Sequence, residues 1–94
     1  MNINLQPEEL IAAAARIRGA SQTLLQQSQE MRNFLAGMAS HFSGQPAQAF
    51  DARLEEWVSA TSQHIETLST LAHFFDQMAQ TLADVDAEIA SQLG

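Results

Sequence analysis

Ninety-four residues, 46% of them hydrophobic, with only two prolines and four glycines, describe one small domain, 1–94, and favour an all-helical one. Eleven acids stand against four arginines and no lysine, a formal net charge of -7; the chain lacks the basic stripe that displaces counterions from nucleic acid, and an anionic membrane is an equally poor partner. The absence of cysteine removes disulfide and thiolate chemistry. Met1 to Leu10 lack the basic start and apolar run of a Sec signal peptide, and no apolar run approaches a membrane span, so any export would follow a non-classical route.

Helix one is expected over about 7–41. Pro7 suits a first helical turn, and Glu8 and Glu9 suit the positive end of its dipole. Ile3, Leu10, Ile17, Leu24, Met31 and Met38 recur at every seventh position. Four residues beyond the last five stand Ala14, Ser21, Ser28, Leu35 and Phe42, which completes a heptad seam with small residues through its middle. Ile11, Leu25 and Phe34 widen the stripe beyond what a two-helix contact needs.

The segment His41 to Phe50, H-F-S-G-Q-P-A-Q-A-F, reads as the turn of a helical hairpin, with the turn itself at about 42–45. Gly44 is the residue most able to take a left-handed backbone conformation, and Pro46 fits the start of the next helix. Helix two is then expected over about 46–90. Phe50, Trp57, His64, Leu71, Met78 and Val85 form one row, and Ala47, Leu54, Thr61, Leu68, Phe75, Leu82 and Ile89 a second. A third row, Val58, Ile65, Ala72 and Ala79, lies beside them. Two helices use two rows, so the third predicts a second packing surface. The expected architecture is therefore an all-α, antiparallel helix-turn-helix hairpin that dimerises into an elongated four-helix bundle.

Folding about Gly44 places positions summing to about 88 opposite one another, such as Met31 with Trp57, Leu24 with His64, Ile17 with Leu71, and Leu10 with Met78. Ser28 with Thr61, Leu35 with Leu54 and Ala14 with Phe75 form the interleaved layers. The hairpin and dimer core is assigned to Ile17, Leu24, Met31, Leu35, Phe50, Leu54, Trp57, Val58, Ile65, Leu71 and Phe75. Beyond about Leu82 helix two has no helical partner within its own hairpin. The remaining segment carries Leu82, Val85 and Ile89 with Asp84, Asp86 and Glu88 between them, an amphipathic stretch suited to a groove.

Catalysis and metal binding find no support. There is no Glu-x-x-His pair of the di-iron kind, and the adjacent Glu55 and Glu56 lie about 100° apart around a helix, unable to face each other as an acid pair. No phosphate loop or nucleophile elbow is present. His73 and Asp76, three apart, read as a solvated helix face, and His41 as a residue favouring a helix C-terminus. Two roles fit His64: a polar layer with Thr61 that fixes register, or a seam imidazole whose protonation loosens a dimer. No cofactor is expected, and no enzyme.

The turn Phe42-Ser43-Gly44, followed by Ala47 and Phe50, with Trp57 further along and I-N-L-Q-P-E-E-L near the start, resembles the WXG100 family, the ESAT-6-like proteins of type VII secretion. The resemblance covers nearly the whole chain. It differs in Phe42, which replaces the tryptophan of the W-x-G turn and keeps an aromatic plug without an indole N–H. It also differs in Leu82, which stands where the family's Y-x-x-x-D/E export signal has tyrosine, while Asp86 fits. The resemblance implies a homodimer, or a heterodimer with another WXG100-like subunit, secreted by the type VII route after folding in the cytoplasm. Its roles would be those of effector, co-exported chaperone or secretion component, and its C-terminal tail would meet a secretion ATPase through Leu82 and Asp86. A non-exported cytoplasmic dimerising adaptor is the competing reading, since both predict the same hairpin.

Overall fold

The computed structural model describes residues 4–93; Ile3, the first member of the heptad row, lies outside them. Two helices make up the fold, α1 (Pro7–Ala39, 33 residues) and α2 (Gly44–Leu93, 50 residues), an all-α helical hairpin with no strand among the described residues.

Pro7 is the first helical residue, as its fixed φ favours. The turn before it is closed by Gln6, whose carbonyl accepts from the Glu9 and Leu10 N–H groups at 3.0 and 3.3 Å. The Gln6 N–H in turn donates to Glu9 Oε2 at 2.8 Å. Half of a capping box is thus present, with glutamate in its usual place and glutamine in place of serine or threonine.

At the other end α1 stops at Ala39, two residues before the expected boundary. The His41 and Phe42 N–H groups bond back three residues, to the Met38 and Ala39 carbonyls at 3.0 and 3.1 Å, so the last turn tightens instead of continuing as α-helix. Ser40 Oγ donates to the Gly37 carbonyl at 2.8 Å and occupies another of the terminal acceptors. Gly44 reverses the chain with φ of +67°, and α2 begins at that residue, two before the expected start. Pro46 falls in its first turn, where no N–H is needed. A Cβ at Gly44 would meet nothing within 4 Å, so Gly44→Ala should cost only the conformational penalty, about 1 kcal/mol. Asparagine there should cost less; equilibrium urea unfolding of both variants checks this.

Two compact units divide the hairpin. Unit one joins the chain up to Ala20 to the chain from Leu68 onward, and unit two is Ser21–Thr67. The buried side chains, Leu10, Ala14, Ala72 and Ala79, all belong to unit one. Large sits against small there: Leu10 is closed off by alanines that let the two helix backbones approach. Arg18 Nη2 donates to Asp76 Oδ2 across this unit and ties the flank of α1 to the flank of α2. In unit two no side chain is buried. Leu24, Ser28, Leu35, Leu54, Thr61 and Ile65 are half-buried, so its seam is covered from one direction only.

The seam of α2 corrects the expected layers. Half-buried and buried positions run through Leu54, Val58, Thr61, Ile65, Leu68, Ala72, Phe75, Ala79 and Leu82. The row assigned to face α1, by contrast, is exposed at His64, Leu71 and Val85 and only half-buried at Met78. The pairings of Leu24 with His64, Ile17 with Leu71 and Leu10 with Met78 therefore give way to the row of Val58, Ile65, Ala72 and Ala79. The physical reason is interaxial distance: helices that approach to 8–10 Å need small side chains between them, and Ala72 and Ala79 supply them where Leu71 and Met78 would hold the backbones apart.

Candidate functional site: exposed apolar faces

A hairpin with so thin a core leaves its apolar side chains outside. In unit two, Met31 (47% exposed), Phe34 (63%) and Met38 project from α1 at i, i+3 and i+7, the spacing of one helix face. Beside them opens a groove of about 390 Å³ bordered by Leu24, Ser28, Met31, Leu35, Trp57 and Thr61. Met31 and Trp57, and Ser28 and Thr61, expected to share layers, thus share this groove. Serine and threonine are too short to close the seam at that level. On the other side of the layer a smaller recess of about 120 Å³ opens, bordered by Leu25, Arg32, Trp57, Val58 and Ile65 among others.

Unit one carries its own apolar face on α2. Leu71 is 41% and Phe74 53% exposed, with Val85 and Ile89 further along. Phe74 had no place in the heptad rows; its ring centroid lies 6.1 Å from that of Phe75, whose side chain is half-buried. It lies three residues after Leu71, and that spacing was the signal for it.

The turn motif is placed as a small aromatic cluster. Phe42 packs on Phe50 with ring centroids 5.2 Å apart and planes tilted by 40°. Phe42 is nonetheless 39% exposed, so it covers the end of unit two without being enclosed by it. In the C-terminal segment Leu82 is half-buried and Asp86 exposed. Gln80 Nε2 donates to Asp84 Oδ1 at 2.9 Å on the adjoining turn. Ile17, Leu24, Leu35, Phe50, Leu54, Trp57, Val58, Ile65 and Phe75 of the assigned core are half-buried, and Met31 and Leu71 exposed.

Sequence patterning did not find the Arg18–Asp76 pair, because its residues flank the seam and are 58 positions apart. Among the described residues no three histidine, aspartate or glutamate side chains gather as metal ligands, and no helix is long and apolar enough to cross a membrane.

Comparison with known proteins agrees with this geometry. Residues 2–87 match the model of the WXG100 family, "Proteins of 100 residues with WXG". YukE of Bacillus subtilis strain 168 is 29% identical over 91 residues, covering 97% of this chain and 94% of that protein. Two crystal structures of the secreted protein EsxB from Bacillus anthracis strain Sterne share the fold with a TM-score of 0.78 and 19% identity. The wild-type form covers 84% of this chain and 85% of its own; the selenomethionine form covers 92% and 98%. A paired-helix hairpin turning at a glycine two residues after an aromatic, and matched over nearly its whole length by that family model, belongs to the WXG100 family, the ESAT-6-like proteins of type VII secretion.

Proposed function

We propose that the protein is exported by a type VII secretion system as a folded helical-hairpin dimer, and acts through protein–protein contact as an effector, a co-exported chaperone or a component of the secretion process. The observation that carries the dimer is surface area. A compact monomer of 10.3 kDa exposes about 5,400 Å², whereas this chain exposes 7203 Å². The difference, about 1,800 Å², is what one subunit covers in an obligate dimer. The exposed Met31, Phe34, Leu71 and Phe74 supply the apolar side chains such an interface needs.

A homodimer is favoured, with a second WXG100-like subunit as the other outcome. The C-terminal segment with Leu82 and Asp86 is the part offered to a secretion ATPase, the leucine as apolar anchor and the carboxylate as orienting group.

Light scattering on the purified chain, with far-UV circular dichroism on the same sample, tests the assembly. A helical species of twice the chain mass is the expected result; a poorly helical monomer would assign the second half of the bundle to a different subunit. Truncation after Ala83 tests the route: the shortened chain should stay in the cell. Secretion of the truncated chain at the full-length level would overturn the role given to the tail.

A further inference from the structure

Phe50, Trp57, His64, Leu71 and Met78 follow one another at seven-residue spacing along the single helix α2. His64 is the middle member, the only one that titrates, and its side chain is exposed, as is that of Leu71. The row runs beside the inner seam of α2, on the side where Trp57 borders the larger groove. On α1 the row Leu10, Ile17, Leu24, Met31 and Met38 has the same spacing, and its middle member, Leu24, borders that groove together with Thr61, three residues before His64. The two rows therefore have their centres at one level of the hairpin. Val85 continues the α2 row, but α1 begins at Pro7 and accompanies α2 only to about Leu82, so Val85 falls beyond the paired length.

A row with equal arms about its middle is self-complementary. A two-fold axis perpendicular to α2 at His64 runs that helix antiparallel to α2 of a second copy, and sets Trp57 by Leu71 of that copy and Phe50 by its Met78, each contact being made twice. The exposed Leu71 then fills the groove at Trp57 that Ser28 and Thr61 leave open. Two copies with their turns at the same end would instead lay groove on groove and Leu71 on Leu71. The paired length, from the turn to about Leu82, also has its middle close to His64, so an axis there gives the two hairpins their fullest overlap. The one member of the row that meets its own counterpart is His64.

We propose that two copies of this chain meet with His64 against His64 of the second copy on the two-fold axis, and that this imidazole pair makes the dimer separate in acid. This rests on the homodimer reading above and adds to it an axis and a switch. When both rings are neutral, one donates its N–H to the bare nitrogen of the other; when both are protonated they hold only donors. Two positive charges then face each other where solvent is excluded, which disfavours the charged form. Nothing close by offsets them. α1 carries no charged residue from Gly19 to Gln29, and its side chains along the groove there are Leu24, Gln27 and Ser28. On α2 the positions one turn to either side, Ala60, Thr61, Thr67 and Leu68, are uncharged, and Glu66, two residues on, lies about 200° around the helix. The second copy brings the same set by symmetry. Acid therefore favours the separated chains, whose imidazoles take up protons in solvent. The rest of the chain has the opposite tendency: two copies of net charge -7 repel, and acid relieves that repulsion.

The switch is tested by sedimentation of the wild type and H64Q at about pH 7.5 and about pH 5.5. The wild-type dimer dissociation constant should rise about tenfold or more on acidification, whereas that of H64Q, which keeps His41 and His73, should hold or fall. The axis is tested with single cysteines, since the chain has none of its own. H64C should oxidise to a disulfide-linked dimer in high yield. L71C should not, because Leu71 stands fourteen residues of helix, about 21 Å, from its own counterpart, and a disulfide needs Cα atoms within about 7 Å. Both positions are exposed, so the fold should be unaffected, and far-UV circular dichroism checks this. A wild type that stays monomeric at every concentration at about pH 7.5 would overturn the homodimer reading itself. A dimer in which H64C fails to cross-link, or L71C cross-links equally well, would leave that reading standing and overturn the axis. A cross-linked H64C together with the same acid response in wild type and H64Q would overturn the switch.

Discussion

Replacing Ala72 by leucine should lower the unfolding free energy by about 1–3 kcal/mol. For a chain of this size that moves the thermal midpoint down by about 5–20 °C, read by circular dichroism at fixed protein concentration. Ala72 has no exposed surface, and it belongs to the one unit with closed packing. Three further methyl or methylene groups there must push α1 and α2 apart along their closest contact, which also loosens Leu10 and Ala14. Ala72→Ser, adding a single atom able to bond to the backbone carbonyl four residues back, should cost far less. An unchanged midpoint for the leucine variant would mean that the helices do not meet at the alanine row.

Leu71→Glu, one position away, should have the opposite signature. Leu71 is 41% exposed within the hairpin, so glutamate there finds solvent and the unfolding of the isolated chain should hardly change. In the proposed dimer the same carboxylate would be buried against an apolar partner without a counter-charge, a costly arrangement. The dimer dissociation constant should rise by about 30-fold or more, the effect of losing a central interface anchor. Light scattering across a dilution series reads this directly. If the mass stays that of a dimer at low concentration, the α2 face of Leu71 and Phe74 is not the interface.

These neighbouring residues also show how far the sequence could be read. The hairpin, the start at Pro7 and the chain reversal at Gly44 followed from residues whose backbone preferences are strong and local. Most of the α1 seam followed as well: Leu10, Ala14, Ile17, Leu24, Ser28 and Leu35 of the paired rows are buried or half-buried, while Ile11, Leu25 and Phe34 outside them stand exposed. On α2 three rows compete, and periodicity gives no weight to distance. Leu71 and Met78 are more hydrophobic than Ala72 and Ala79, yet alanine wins the inner position because the backbones must come close there. Large side chains are then displaced outward, which leaves Leu71 exposed and Met78 half-buried.

The unit containing Trp57 was harder to anticipate for another reason. A seam of Leu24, Ser28, Leu35, Leu54 and Thr61 has the right period, but serine and threonine lack the volume to seal it, and pattern carries no information about volume. The same holds for Phe42. An aromatic at a turn was expected to plug the end of a core, and it does stack on Phe50, but with so few layers behind it 39% of its surface stays open. The Arg18–Asp76 pair is a property of the helix flanks, visible only once the two helices are set side by side.

Trp57 borders two recesses of unit two, and the chain contains one tryptophan and no tyrosine. Ultraviolet emission from this protein therefore arises from a single indole placed where a partner would settle. Its wavelength and its accessibility to a soluble quencher give a label-free optical readout of whether that region is wet or covered, at concentrations too low for scattering methods, and in mixtures with any subunit that lacks tryptophan.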